Sequence, residues 1–227
     1  MPVAPTNRAV ALLAHALLLA LVLGIFAYWA PWVNHAAAAL KLSGQDLGEF
    51  VKFIPAIRRG DVSFPRQLFY LPPLVMAVVL VLLSVNQELP YPGWLRIVML
   101  VSSVALLPGL LPPAWGHPRE LFSSEFRLQG IGILLGASVA AVHGLFRRLP
   151  LRSLAALILG LAPIALVAPQ GAFWAVRPRI WAAYDTPGLR LGCGLWMHVA
   201  AWLGATACAG ALLIWAQRKQ RRPDAVL

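Results

Sequence analysis

Apolar residues fall in long runs along this chain, with few of the polar interruptions that mark a strand or a half-buried helix. Six runs approach the about 20 residues that a helix needs to cross about 30 Å of hydrocarbon. They cover roughly 9–29, 69–85, 94–111, 130–146, 151–168 and 195–216. The fifth is the weakest, being short and carrying Pro163, which removes a backbone hydrogen bond that a neighbour has to replace. The first is longer than the about 7–15 residues of a signal-peptide core, so it reads as an anchor although Ala36 and Ala38 imitate a cleavage site. The pattern predicts an all-α membrane protein, one polytopic transmembrane domain over 1–227. Its six helices form three hairpins with amphipathic helices in the extracytoplasmic loops, and a basic cytoplasmic tail occupies 217–227.

Composition sharpens this picture. Hydrophobic residues make up 60% of the chain and charged residues 12%, against about 25% charged in a soluble domain, so no stretch reads as a soluble module. The net charge of +11 would suggest nucleic acid in a soluble protein. Here the basic clusters Arg147, Arg148, Arg152 and Arg218, Lys219, Arg221, Arg222 flank apolar runs, where anionic headgroups attract them. Membrane lipids and other membrane subunits are the expected partners, and nucleic acid is not. Cys193 and Cys208 fall in one predicted helix about 22 Å apart, too far to bridge.

Raw counts of Lys and Arg are nearly balanced between the two sides. The dense clusters against helix ends decide the orientation. They place both termini in the cytoplasm of a bacterial inner membrane, with Asp46, Glu49, Asp61, Glu120, Glu125 and Asp185 outside. Trp29, Trp32, Trp115, Trp174, Trp181 and Trp196 then ring the outer interface, and Trp94 and Trp215 mark the inner one.

The first external loop carries the clearest local signal. Ser43 followed by Asp46 reads as a capping-box start. Leu47, Phe50, Val51 and Ile54 recur on one face, with Glu49 and Lys52 opposite, and the helix ends near Pro55. It is expected to lie in the outer interface as a lid, or else to form a vestibule or dock a partner. Phe173, Trp174, Val176, Ile180, Trp181 and Tyr184, interrupted by Pro178 and stopped by Asp185-Thr186-Pro187, read as a second interfacial segment with Arg177 and Arg179 snorkelling.

Small residues mark helix packing. Gly132, Gly136, Ala140 and Gly144 repeat every fourth residue, as do Ala16, Ala20, Gly24 and Ala200, Gly204, Cys208. No Asp, Glu, Lys or Arg lies mid-span, which disfavours an ion carrier with its own charge relay. His15, His143 and His198 sit inside predicted helices, and His15 with His143 are the candidate axial ligands of a b-type haem. A histidine facing another helix is more commonly just hydrogen-bonded, so no cofactor is predicted. His35 and His117 with Glu120 or Asp46 match no metal-ligand spacing. Ser123 and Ser124 lack a nucleophile-elbow setting, and no catalytic residue is nominated.

The segment from Pro31 to Pro55, PWVNHAAAALKLSGQDLGEFVKFIP, resembles an opening loop of uncharacterised bacterial polytopic membrane proteins, some encoded beside ATP-binding-cassette transporter components. The resemblance covers roughly a tenth of the chain. It implies a partner role in a transport assembly and transfers no functional residue. The leading expectation is therefore an integral membrane subunit of a larger complex, permease-like or accessory to a transporter. The alternatives are a membrane-interface enzyme or b-type haem protein, and a purely structural scaffold.

Overall fold

The computed structural model describes residues 8–35, 41–111, 117, 119–120, 123–184 and 188–221. Ala36, Ala38, Trp115, Asp185, Thr186, Pro187 and Arg222 lie outside them. In chain order the elements are α1 (Arg8–Trp29), β1 (Pro31–His35), β2 (Lys41–Ser43), α2 (Gly44–Phe50), α3 (Pro55–Arg58), α4 (Leu71–Val85) and α5 (Gly93–Leu106), then α6 (Arg127–Ala141), α7 (Leu151–Tyr184), β3 (Leu189–Leu191) and α8 (Cys193–Arg221). Tighter 3-10 turns extend four of them: Val51–Phe53 follows α2, Arg66–Tyr70 leads into α4, Leu107–Leu110 follows α5, and His143–Arg148 follows α6.

Among the described residues, five helical segments are long and apolar enough to cross a membrane: Arg8–Trp29, Arg66–Val85, Gly93–Leu110, Leu151–Ala182 and Cys193–Arg221. The fourth predicted run is shorter than expected. α6 has 15 residues and gives way at Val142 to the 3-10 turn. Gly130, Gly132 and Gly136 lower the helix propensity along this run, and Gly144 weakens its end.

α4 is the axis of the bundle. Its sequence LPPLVMAVVLVLLSV is apolar all round, and α1, α5, α6 and α7 pack around it. Pro72 and Pro73 occupy its first turn, where missing N–H groups cost nothing. α8 packs between α1 and α7. The outer faces stay apolar: Ile97, Val98, Val101 and Val104 on α5, Leu128, Ile131, Leu134 and Leu135 on α6, Leu12, Leu19 and Phe26 on α1. Patches of this extent are rare on water-soluble proteins; lipid is the solvent that suits them.

α7 corrects the expectation of a separate interfacial segment. Its 34 residues make a helix of about 51 Å, well beyond the hydrocarbon thickness. Leu151, Leu154, Ala155, Ile158, Ala162 and Ala165 pack in the bundle, whereas Ala172, Phe173, Val176 and Ile180 enter a second core. The helix runs through Pro163, Pro169 and Pro178. Trp174 stays on the outside, where the Arg177 guanidinium lies 5.0 Å from its ring.

The second core belongs to a small head at one end of the bundle. Its sheet, in the antiparallel order β2-β1-β3, pairs Val33 with Leu42 on one side and with Leu191 on the other. An all-α expectation does not contain this sheet. Gly192 is needed where β3 turns into α8, because a side chain there would collide with the Pro31 backbone. Trp32 also departs from expectation. It is fully buried against Phe69, Phe173 and His198, and its Nε1 donates to the Ala27 carbonyl at 3.0 Å. The sheet turns this indole inward, so it cannot serve at the outer interface.

Candidate functional site

The head is held to the bundle through α2, and the holding residues border a groove. Ser43 caps α2 as its sequence suggests: the Asp46 N–H donates to Ser43 Oγ at 3.2 Å, and the Ser43 N–H donates to Asp46 Oδ2 at 2.9 Å. Leu47, Val51 and Ile54 point into the head core, and Phe50 packs at its margin. The apolar stripe is thus satisfied within the chain. On another face of α2, Gly44 and Gly48 lie against the rings of Tyr28 and Tyr70. A Cβ on Gly48 would stand 2.7 Å from Tyr70 Cε2.

That close approach brings Glu49 over the start of α4. Glu49 Oε1 accepts from Tyr70 Oη at 2.8 Å and from Arg66 Nη1 at 2.9 Å, while Oε2 pairs with Lys52 Nζ. Arg66, 8% exposed, also donates through Nη2 to the Glu125 carbonyl at 3.0 Å. Lys52 closes the circuit by donating to Glu125 Oε1 at 2.8 Å. Both cations also lie 5.6 Å from the Phe126 ring. Two carboxylates and two cations neutralise one another, and the hydrogen bond from Lys52 holds the Glu125 carboxyl below the usual carboxylate range. The circuit ties α2, the start of α4 and the start of α6 into one unit. Glu49 and Lys52 lie opposite the apolar stripe, as the sequence places them, and tertiary structure gives them partners at Arg66 and Glu125.

Beside this circuit a groove of about 260 Å³ runs between α4, α6 and Leu110. Gln67, Tyr70 and Gln129 lie at its head end, and Leu74 and Leu135 at its deeper end. Gln129 is 2% exposed; its amide oxygen has no hydrogen-bond partner, and its amide nitrogen has only the Tyr70 hydroxyl within reach. No local pattern in the sequence marks it out.

The opposite end has its own polar centre. Arg96 donates to the carbonyls of Ser84, Asn86, Leu89 and Tyr91, closing the turn after α4. Glu88 Oε1 accepts from the Leu151 N–H and so caps α7. Burial raises the Tyr91 hydroxyl above its ordinary range, and that hydroxyl donates to the Ala14 carbonyl.

The two haem candidates sit in different settings. His15 Nδ1 lies 2.7 Å from Ala11 O, with its ring edge-on to Tyr91. His143 Nδ1 lies 2.8 Å from Ala140 O, and the ring lines a cleft of about 420 Å³ with Arg96 and Arg147. His35 and His117 join no group of three potential metal ligands among the described residues. Of the small-residue row, Gly132 and Gly136 receive Leu110 and Leu107, Ala140 is half-buried, and Gly144 is open.

No family model matches this chain, and neither a curated protein nor a solved structure shows a significant likeness to it.

Proposed function

We propose that the protein is an integral multi-pass subunit of a larger membrane assembly, of the permease or accessory class of a transporter. It sits in a bacterial inner membrane with both termini cytoplasmic and the head outside. The observation that carries the subunit reading is the small-residue pair Ala156 and Gly160 on α7. Both are exposed, and nothing lies within 4 Å of the position a Gly160 Cβ would take. Gly132 and Gly136 are already filled by leucines of the same chain, so the pair on α7 is free to receive a helix from another one. The apolar middles of the five segments, without Asp, Glu, Lys or Arg, suit such a partner better than an ion carrier.

Purification in mild detergent with particle-mass measurement tests this. The native chain should elute in a stoichiometric complex, and Gly160→Leu should elute as a folded monomer. A native chain that remains monomeric, even after cross-linking in the membrane, would overturn the proposal.

A further inference from the structure

We infer that the groove between α4 and α6 holds one acyl chain of a lipid-type amphiphile, whose uncharged hydrogen-bonding group (an ester, hydroxyl or amide) meets the Gln129 amide. Three observations combine. The groove is graded: Gln67, Tyr70 and Gln129 at the head end give way to Leu74 and Leu135 deeper along the helices. Leu128, Ile131 and Leu135 are more than half exposed on α6, so a chain enters sideways from the bilayer. Gln129 is buried with its amide oxygen unpaired and with no neighbour but the Tyr70 hydroxyl to take its two amide N–H groups, a desolvation cost that a hydrogen-bonding guest removes.

The guest's polar group is uncharged because the groove lining carries no charged side chain and the circuit beside it is already matched. Glu49 and Glu125 are matched by Lys52 and Arg66, so the circuit has no free charge to answer a phosphate or a carboxylate, and Arg127 beside it is exposed and does not line the groove. An amide that offers both donor and acceptor complements an ester carbonyl or an alcohol. At about 260 Å³, the groove falls below the about 300–1,000 Å³ of typical small-molecule pockets. That volume suits a single chain better than a ring system.

The inference rests on the reading that these helices lie in a bilayer, and the test separates the two. The full chain is reconstituted in phosphatidylcholine vesicles containing a trace of either mid-chain diazirine phosphatidylcholine or a diazirine fatty alcohol, then irradiated, and the adducts are mapped. Adducts on Leu71, Leu74, Leu128 and Leu135 should exceed those on the α5 outer face (Val98, Val101, Val104) several-fold. Gln129→Leu and Ile131→Trp should each bring them down to the α5 level. Where a variant does not fold, competition by excess unlabelled fatty alcohol on the native chain decides instead. Enrichment with the phospholipid identifies a bilayer lipid as the guest, and enrichment with the alcohol alone identifies a single-chain amphiphile. Groove labelling equal to that of α5, with both probes, overturns the inference while leaving the bilayer setting intact. Labelling of neither surface overturns the bilayer reading itself.

Discussion

His198 on α8 supplies to Ala165 on α7 the hydrogen bond that Pro169 withholds. A helical carbonyl normally accepts from the N–H four residues on, and Pro169 has none. His198 Nε2 lies 3.1 Å from Ala165 O inside a fully buried contact. A carbonyl only accepts, so Nε2 carries the proton. The same ring packs at 4.8 Å from Trp32 and joins the bundle to the head core.

From this follows a double-mutant cycle on detergent-solubilised protein. His198→Phe keeps the ring packing and orphans the Ala165 carbonyl, at a cost of about 1–3 kcal/mol. In a Pro169→Ala background the helix supplies its own N–H, and His198→Phe should cost markedly less. Equal melting shifts in both backgrounds would show that the hydrogen bond contributes nothing.

The charge circuit predicts an asymmetry between single and paired replacements. Arg66→Met should cost about 2 kcal/mol, below the about 3–5 kcal/mol of a fully buried pair, because Lys52 still neutralises Glu49. Glu49→Gln together with Arg66→Met should recover much of that loss. Chemical or thermal unfolding of the three variants checks this, and additive losses would contradict it.

Gly48 and Gly160 should respond in opposite directions to the same alanine. At Gly48 the methyl meets the Tyr70 ring, and overpacking of this kind costs about 1–3 kcal/mol. At Gly160 nothing lies within 4 Å, so alanine should gain up to about 1 kcal/mol of helix propensity in the isolated chain. Melting temperatures of the two variants give the comparison.

Acid should loosen the joint between head and α6. The Glu125 carboxyl is held low chiefly by its hydrogen bond from Lys52. Its contribution is therefore fully present above the ordinary glutamate value of about 4.3. It is lost as pH falls through the lowered folded value. Lys52→Met should move that loss to higher pH. Amide exchange at residues 125–130, followed against pH in both proteins, reads the shift directly.

Orientation has its own test. Ser63 is exposed in the head. Ser63→Cys, in a chain lacking Cys193 and Cys208, should react with an impermeant thiol reagent in intact cells. Reaction only after lysis would put the head on the cytoplasmic side.

Local chemistry was legible without coordinates. Five of the six apolar runs became helices long and apolar enough to cross a membrane, because length and hydropathy are properties of contiguous residues. The Ser43–Asp46 cap was equally readable, since both partners lie within one turn. Tertiary structure decided the rest, because the deciding contacts link residues far apart in the chain. α7 continues beyond Pro169 alongside a histidine from α8 that satisfies the freed carbonyl, whereas the sequence pattern ends a span near Ala168 and makes Pro178 an interruption of a separate segment. Trp32 is buried because β1 pairs on both edges, with β2 and with β3, and the latter comes from the far end of the chain. Glu49, Lys52 and Arg66 become a clamp only once Glu125 is brought to them, and Gln129 becomes a site only once its surroundings bury it with its amide oxygen unpaired. Hydropathy records how strongly a segment avoids water, but not which distant residue will meet it.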